Sequence, residues 1–216
     1  ETAVISTKVE CFVFCDTNGG TLPSEVHEII SEIISKYPEA NFGVHFQNDN
    51  GCAVANSMVA VDLGVNHVQG TINGYGERTG NADLCTLIPN LTLKKGYQTI
   101  SERSLGRLTQ TANHIAELVN VAIDSRHPYV GSSAFTHKAG LHASGMAKDS
   151  SLYEHIDSAA VGNFTRTTVS ELAGRASVLT KAEEFGLEFN NDDAKKLIEE
   201  VQNLEHMGYQ LSLIHI

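Results

Sequence analysis

The apolar positions of this chain fall into blocks whose spacing alternates between contiguous and helical. Val9 to Phe14 is an apolar run with β-branched and aromatic members, interrupted only at Glu10, and it predicts a strand covered on both faces. It ends in the loop Asp16-Thr17-Asn18-Gly19-Gly20. Thr21 and Pro23 then mark a helix start, and Val26, Ile29, Ile30, Ile33, Ile34 and Tyr37 recur at helical spacing until Pro38 closes the segment. The order repeats with Phe42 to Gln47 as strand, a polar loop ending near Gly51, and a helix carrying Val54, Met58, Val61 and Leu63 before Gly64. A third round predicts a strand over Asn66 to Ile72, a glycine-rich loop and a short helix from about Asn81 to Ile88. Three such units of about thirty residues imply parallel strands with right-handed crossovers. In each, the polar cluster follows the C-terminal end of the strand, where α/β enzymes keep their active sites.

Beyond these units the pattern turns helical. Leu105, Leu108, Ala112, Ile115, Ala116 and Val119 predict one long helix over Ser101 to Ile123, with Ser101 as its cap. Arg126 to Asp149, rich in Gly, Ser, Ala and His, reads as an extended loop with a short helix. Helices are expected again over Gly174 to Phe185 and Asn190 to Met207, the second capped by Asn190, with Asp193 in its first turn and Leu197, Ile198, Val201 and Leu204 as its buried stripe.

Composition narrows the function classes. With 216 residues, 41% hydrophobic and 19% charged, the chain is long enough and apolar enough to bury a core. A net charge of -11, with 15 Lys and Arg and no basic run, excludes a sequence-independent nucleic-acid binder. No apolar run approaches the roughly 20 residues needed to span a bilayer, and the N-terminus lacks the order of a signal peptide, so no membrane partner and a cytoplasmic or organelle-matrix location are expected. Cys11, Cys15, Cys52 and Cys85 have neither disulfide-scaffold nor zinc-ribbon spacing and read as reduced thiols packed as small apolar residues.

The chemistry concentrates in Gly43 to Asn81. Residues 45 and 47 lie two apart on a strand and point to one face, so His45 and Gln47 could share a metal. In Asn73-Gly-Tyr-Gly-Glu77-Arg78-Thr-Gly-Asn81 the glycines free the backbone to bend and leave Glu77, Arg78 and Asn81 as polar cargo. Arg78 reads as an ion-pair partner that shapes this loop, Asn48 and Asp49 as groups that orient the ligands, and His27, His67, His114, His155 and His206 as structural histidines. For His137 and Lys138, contact with coenzyme A phosphates and a solvated loop both stay open.

Asp16 to Gly20, His45-Phe-Gln47-Asn48-Asp49 with Ala55-Asn56-Ser57, Gln69 to Asn81, Ser133 to His142 and Gly174 to Ser177 together closely resemble the 2-isopropylmalate synthase, homocitrate synthase and citramalate synthase family. The resemblance covers about residues 5 to 207, and the Gln69-to-Tyr75 block followed by Ile88-Pro89-Asn90-Leu91 looks most like the citramalate synthases. It implies an α/β fold: the C-terminal three strand-helix units of a (β/α)8 TIM barrel over 1–91, followed by a mainly helical post-barrel part over 92–210. It also implies a metal-dependent acyltransferase that condenses acetyl-CoA with a 2-oxo acid, pyruvate first and 2-oxoisovalerate next, in branched-chain amino-acid biosynthesis.

By the same resemblance His45, Gln47 and Asn81 supply metal ligands, Glu77, His142 and Tyr153 are catalytic, and Thr17 contacts the carboxylate of the 2-oxo acid. Histidine suits proton removal from the acetyl-CoA methyl because its pKa ordinarily lies near neutrality. The chain departs from the family at Gln47, where a histidine is usual. An amide oxygen binds Mg²⁺ or Mn²⁺ readily and suits Zn²⁺ less well, so Mg²⁺ or Mn²⁺ is favoured with Zn²⁺ as the alternative. The family's opening Arg-Asp pair and its C-terminal regulatory domain do not occur here, which makes the chain look like an internal fragment, inactive alone, of a homodimeric parent in which His142 and Tyr153 could serve either subunit. The alternatives are a 3-hydroxy-acyl-CoA lyase of the same barrel superfamily and a degenerate, non-catalytic paralogue. Leu211 to Ile216 resembles a translated sequencing adaptor and is read as a cloning scar, which removes His215 from consideration.

Overall fold

The structure is a computed structural model that describes residues 9–137, 149–167, 178–179, 182–183 and 186–209. The chain divides into two compact units, 1–123 and 124–216.

In the first unit, strands β1 (Phe12–Asp16), β2 (Phe42–Phe46) and β3 (His67–Gln69) form a parallel sheet in the order β1-β2-β3. Helix α1 (Pro23–Lys36) connects the first pair and α2 (Ala53–Asp62) the second. Parallel pairing demands such a crossover, and the amphipathic helices supply it. The register sets Phe14 beside Val44 and Val68, and Cys15 beside His45 and Gln69. Alternation therefore gives the sheet two chemically distinct faces. One carries Phe42, Val44 and Phe46, all buried, which pack with Val26 and Ile30 of α1 and Ala53 and Ala60 of α2. Each large apolar side chain buried there contributes about 1.5–3 kcal/mol. The other face carries Val13, Cys15, Gly43, His45, His67 and Gln69.

Several boundaries differ from the sequence expectation, each for a local reason. β1 begins at Phe12, while Val9 is 49% exposed. β1 is only partly covered, because β2 is its one neighbour in the sheet. β3 ends at Gln69: the Gly70 backbone packs against the Ala82 carbonyl, Thr71 N donates to that same oxygen at 3.0 Å, and the chain turns into a 3-10 segment over Ile72–Gly74. The third helix, α3 (Leu84–Pro89), starts three residues late because residues 81–83 are held to the strand ends, with Ala82 N donating to Phe46 O at 3.0 Å. Asp83 caps it, accepting from Cys85 N at 2.9 Å and from the Thr86 hydroxyl at 2.5 Å. A π-turn over Asn90–Lys94 follows.

The long helix expected over Ser101 to Ile123 is two helices, α4 (Glu102–Leu105) and α5 (Leu108–Val119), broken at Gly106-Arg107. Gly106 is a weak helix former, and Leu105 and Leu108 on either side of the break are both buried. Ser101 caps α4 as expected, accepting from Ser104 N at 3.2 Å. The residue-91 boundary marks where the strand-helix pattern ends. The compact unit continues to Ile123, since Asn73 Nδ2 donates to Ala112 O of α5 at 2.9 Å.

In the second unit, β4 (Thr136–His137) and β5 (Arg166–Thr167) pair in parallel, and Tyr129, Val130, Phe135 and Val161 are buried. Buried Asn163 ties two turns together by donating to Tyr129 O and Gly131 O at 2.9 and 3.0 Å. Helix α6 (Asn191–His206) has the expected start: Asn190 Oδ1 accepts from the amides of Asp192 and Asp193, and Asp193 accepts from Asn190 N. Its buried side includes Ala194 and Val201, with Leu197 and Ile198 beside them. Of the helix expected over Gly174 to Phe185, residues 178–179 and 182–183 are described and helical. Among the described residues no helix is long and apolar enough to cross a membrane.

Candidate metal and substrate site

Strand β2 delivers His45 to the face of the sheet opposite the apolar core, and Gln47 follows on the same side just past the strand end. Gln47 is bridged to Asn81, which the glycine-rich loop brings back across the sheet. That loop is held at both ends: Asn48 N donates to Gly80 O at 2.9 Å, and Asn81 N to Gly74 O at 3.0 Å. Gly80 is obligatory here, because its φ is +93° and a Cβ would collide with the Gly74 carbonyl. Asn81 is 9% exposed, and its amide nitrogen donates to Tyr75 O at 2.9 Å, which fixes the side chain and commits its oxygen to the opposite direction.

The three residues share an unusual property. His45 Nδ1, Gln47 Oε1 and Asn81 Oδ1 are buried and make no hydrogen bond. Native proteins leave few such atoms, and each costs about 1–3 kcal/mol unless something satisfies it. One further described side chain has such an atom, Asn56 Oδ1; it sits on α2, where Asn56 Nδ2 donates to Thr21 O at 2.7 Å. The trio on β2 and the glycine-rich loop is one imidazole and two amide oxygens. Among the described residues no group of three or more His, Cys, Asp and Glu could hold a metal, so carboxylates do not complete the set. A hard divalent cation suits these donors.

The other expected residues surround this trio unevenly. Asp16 accepts from the amides of Gly19 and Thr21, both at 3.2 Å, and so shapes the first loop. Thr17 is exposed, and its carbonyl accepts from Arg78 Nη2 at 2.9 Å. Arg78 also forks onto Asp49, with Nε and Nη2 donating to Oδ1 and Oδ2 at 2.7 and 2.9 Å. The guanidinium holds the Asp49 carboxyl below the usual carboxylate range, and Asp49 raises Arg78 in turn. Arg78 is thus the loop-shaping ion-pair partner expected of it. Asn48 does a different job from ligand orientation: its Oδ1 accepts from Ala53 N at 3.2 Å, at the start of α2. A cleft of about 660 Å³ opens beside Cys15, Asp16, Thr17, Asn18, Asp49 and Arg78. Glu77 is largely solvent-exposed, its carboxylate 4.0 Å from Arg78 Nη1.

All four cysteines are free. Cys85 alone packs as a buried apolar residue, and burial, reinforced by the Asp83 charge, pushes its thiol up to about 12. Cys15 is exposed, contrary to the apolar-packing expectation, since it lies on the sheet face without a helix.

Tyr153 belongs to the second unit, where it is 38% exposed and its ring meets His137 edge-on at 6.4 Å. His137 pairs with buried Glu154 at 3.2 Å, and Glu154 also accepts from Thr165 Oγ1 at 2.6 Å. His137 is therefore partnered inside its unit rather than solvated, while Lys138 and His142 lie outside the described residues. His155, read as structural, stacks on Phe135 and meets Tyr129 edge-on. Sequence reasoning passed over Glu154; its signal was an acidic residue in the same short segment as Tyr153.

Comparison with known proteins places this geometry. Residues 2–119 match the HMGL-like family, and residues 129–208 match the homocitrate synthase post-HMGL domain-like family. An (R)-citramalate synthase from Aquifex aeolicus is 48% identical over 96% of this chain and 40% of its own length. A probable 2-isopropylmalate synthase from Archaeoglobus fulgidus is 32% identical over 97% of this chain and 42% of its own. The chain thus spans about two fifths of the curated relatives it matches. Among solved structures, an HMG-CoA lyase from Bacillus subtilis superposes with a TM-score of 0.51 at 22% identity, covering 58% of this chain and 43% of that one, a likeness of fold. The parallel strand-helix units and the matched segment after them agree with the α/β barrel reading, and the chain belongs to the HMGL-like family, within the branch that carries a homocitrate synthase post-HMGL domain.

Proposed function

We propose that this chain is part of an acyltransferase that condenses acetyl-CoA with a 2-oxo acid, pyruvate by preference, to give a 2-hydroxy diacid and free coenzyme A. The observation that carries the reading is the set of three buried, unpartnered polar atoms on His45, Gln47 and Asn81 at the C-terminal end of β2 and in the loop after β3. The higher identity to a citramalate synthase than to a 2-isopropylmalate synthase supports pyruvate. The match to the homocitrate synthase post-HMGL domain favours synthesis over the lyase direction.

His45, Gln47 and Asn81 would hold a divalent cation, Mg²⁺ or Mn²⁺ before Zn²⁺ because two of the three donors are neutral amide oxygens. When bound, the cation polarises the carbonyl of the 2-oxo acid and so favours attack at C2. Asn81 is pre-oriented for this by its bond to Tyr75 O. Thr17 offers its hydroxyl to the substrate carboxylate from the first loop, and Glu77 reaches the same mouth from the third. The base that removes the acetyl-CoA methyl proton is His142, assisted by Tyr153, both roles resting on the family resemblance. The resulting carbanion forms the new carbon–carbon bond to C2 as the carbonyl π pair moves to oxygen and takes up a proton to become the 2-hydroxyl, and attack of water on the thioester then gives the second carboxylate and free coenzyme A. By the family resemblance the parent is a homodimer, in which His142 and Tyr153 act in either the same subunit or its partner.

The full-length protein of which this chain is a part, incubated with pyruvate, acetyl-CoA and Mn²⁺, is expected to release free thiol, and His45→Ala or Asn81→Ala to lower the rate at least a hundredfold. No thiol release with any 2-oxo acid, or cleavage of a 3-hydroxy-acyl-CoA in its place, contradicts the proposal. The chain alone is expected not to turn over: among the described residues its outer strands β1 and β3 each pair with β2 only, which leaves the outer edges of the sheet unpaired.

A further inference from the structure

Arg78 sits on the loop that carries Asn81, yet its side-chain hydrogen bonds all go to other loops. Its fork engages Asp49 on the loop after β2, and one nitrogen also reaches Thr17 O on the loop after β1. One side chain thus ties together three loops that are 29 and 61 residues apart from it in sequence. The backbone confirms that Arg78 is placed under constraint. Its φ is +55°, a left-handed conformation unusual for a residue with a Cβ, inside a turn closed by Gly80 N donating to Glu77 O at 2.9 Å. Such conformations persist where the surroundings over-determine them, and three charge-assisted hydrogen bonds do so here. Asp49 is received just as closely, its carboxylate lying against the Gly19 backbone where any Cβ would collide.

We infer that Arg78 is a positioning residue: by clamping the loops of Thr17 and Asp49 to its own, it holds Asn81 and the Gln47–Asn81 bridge in the arrangement that receives the cation. The side-chain hydrogen bonds of Arg78 go to Asp49 and to the Thr17 carbonyl. Arg78 acts through the turn Glu77–Gly80, whose Gly80 carbonyl receives Asn48 N and whose next residue is Asn81. Arginine is specified over lysine, because a point charge can meet Asp49 but cannot form the fork and reach Thr17 O at once. This inference rests on the metal reading of His45, Gln47 and Asn81.

Two readouts on the full-length protein of which this chain is a part test it. In amide exchange of the metal-free protein, Arg78→Gln, Arg78→Lys and Asp49→Asn should each speed exchange at Asn48, Gly80 and Asn81 about tenfold, leaving Val44, Phe46 and α1 unchanged. In a Mn²⁺ titration followed by paramagnetic broadening, the same variants should require about tenfold more Mn²⁺ to broaden the signals of residues 45–47 and 81. The double variant should resemble either single one, because both remove the same interaction. Wild-type exchange and affinity in Asp49→Asn or Arg78→Lys overturns the inference while leaving the metal reading intact. No broadening at residues 45–47 and 81 in the unsubstituted protein overturns the metal reading, and the inference with it.

Discussion

Gly80 joins a left-handed backbone to a carbonyl contact that leaves no room for a side chain. Gly80→Ala is therefore expected to destabilise the first unit by about 2–4 kcal/mol and to detach Asn81, which a denaturant midpoint and exchange at Asn81 N would report. Gln47 can be probed in the opposite sense: Gln47→His replaces an amide oxygen by an imidazole nitrogen and should raise Zn²⁺ affinity relative to Mn²⁺ by about tenfold or more, read by competitive titration. Cys85 gives a prediction with a pH sign. Its folded thiol is raised to about 12, so its contribution to stability is fully present below the unfolded value near 9.0 and is lost as the pH climbs from there towards 12. At pH 8 a thiol reagent should label Cys15 first and Cys85 only in denaturant. At this scale the candidate ligands were legible in the sequence, since motif and strand alternation place His45 and Gln47 on one face. That their free atoms are buried without partners was not, because it depends on Asn81 folding back across the sheet.

Elements differ in how clearly their sequences announce them. The apolar helical spacing of Val26 to Tyr37 and the Asn190 cap gave α1 and α6 close to their observed limits, because both signals are local. Gly106 was read as an interior residue of a long helix, since periodicity runs through it; the break falls at this weak helix former, and Leu105 and Leu108 on either side of it are both buried. The start of α3 at Leu84 likewise depends on residues 81–83 bonding to the sheet, a long-range fact. Asp83→Ala should lower stability by about 1 kcal/mol through loss of that cap, measured by thermal unfolding. Among the loops, the Asp49–Arg78 clamp has its own acid limit. The Asp49 pKa is depressed on folding, so the clamp is at full strength above about pH 3.9, the usual Asp value, and weakens as the pH falls through the lower folded value. In a carboxyl NMR titration Asp49 should turn over below that value, and Arg78→Gln should return it to the ordinary range.

Over the whole molecule, the fold class followed from three repeated strand-loop-helix units, and parallel pairing in the order β1-β2-β3 bears that out. β1, apolar enough for a strand covered on both sides, is only partly covered, and among the described residues β2 is its one neighbour in the sheet. The second unit was less readable, because its short strands β4 and β5 are two residues each and its Glu154–His137–Thr165 contacts carry no periodic signal. The central claim is that the buried atoms of His45, Gln47 and Asn81 are the chain's contribution to a divalent-cation site. Paramagnetic broadening by Mn²⁺ in the full-length protein tests it most directly. The account predicts that broadening at the first additions is centred on His45, Gln47 and Asn81, falls off with distance from them, and vanishes in His45→Ala and Asn81→Ala. Broadening that spreads over the surface carboxylates and spares those residues would contradict it.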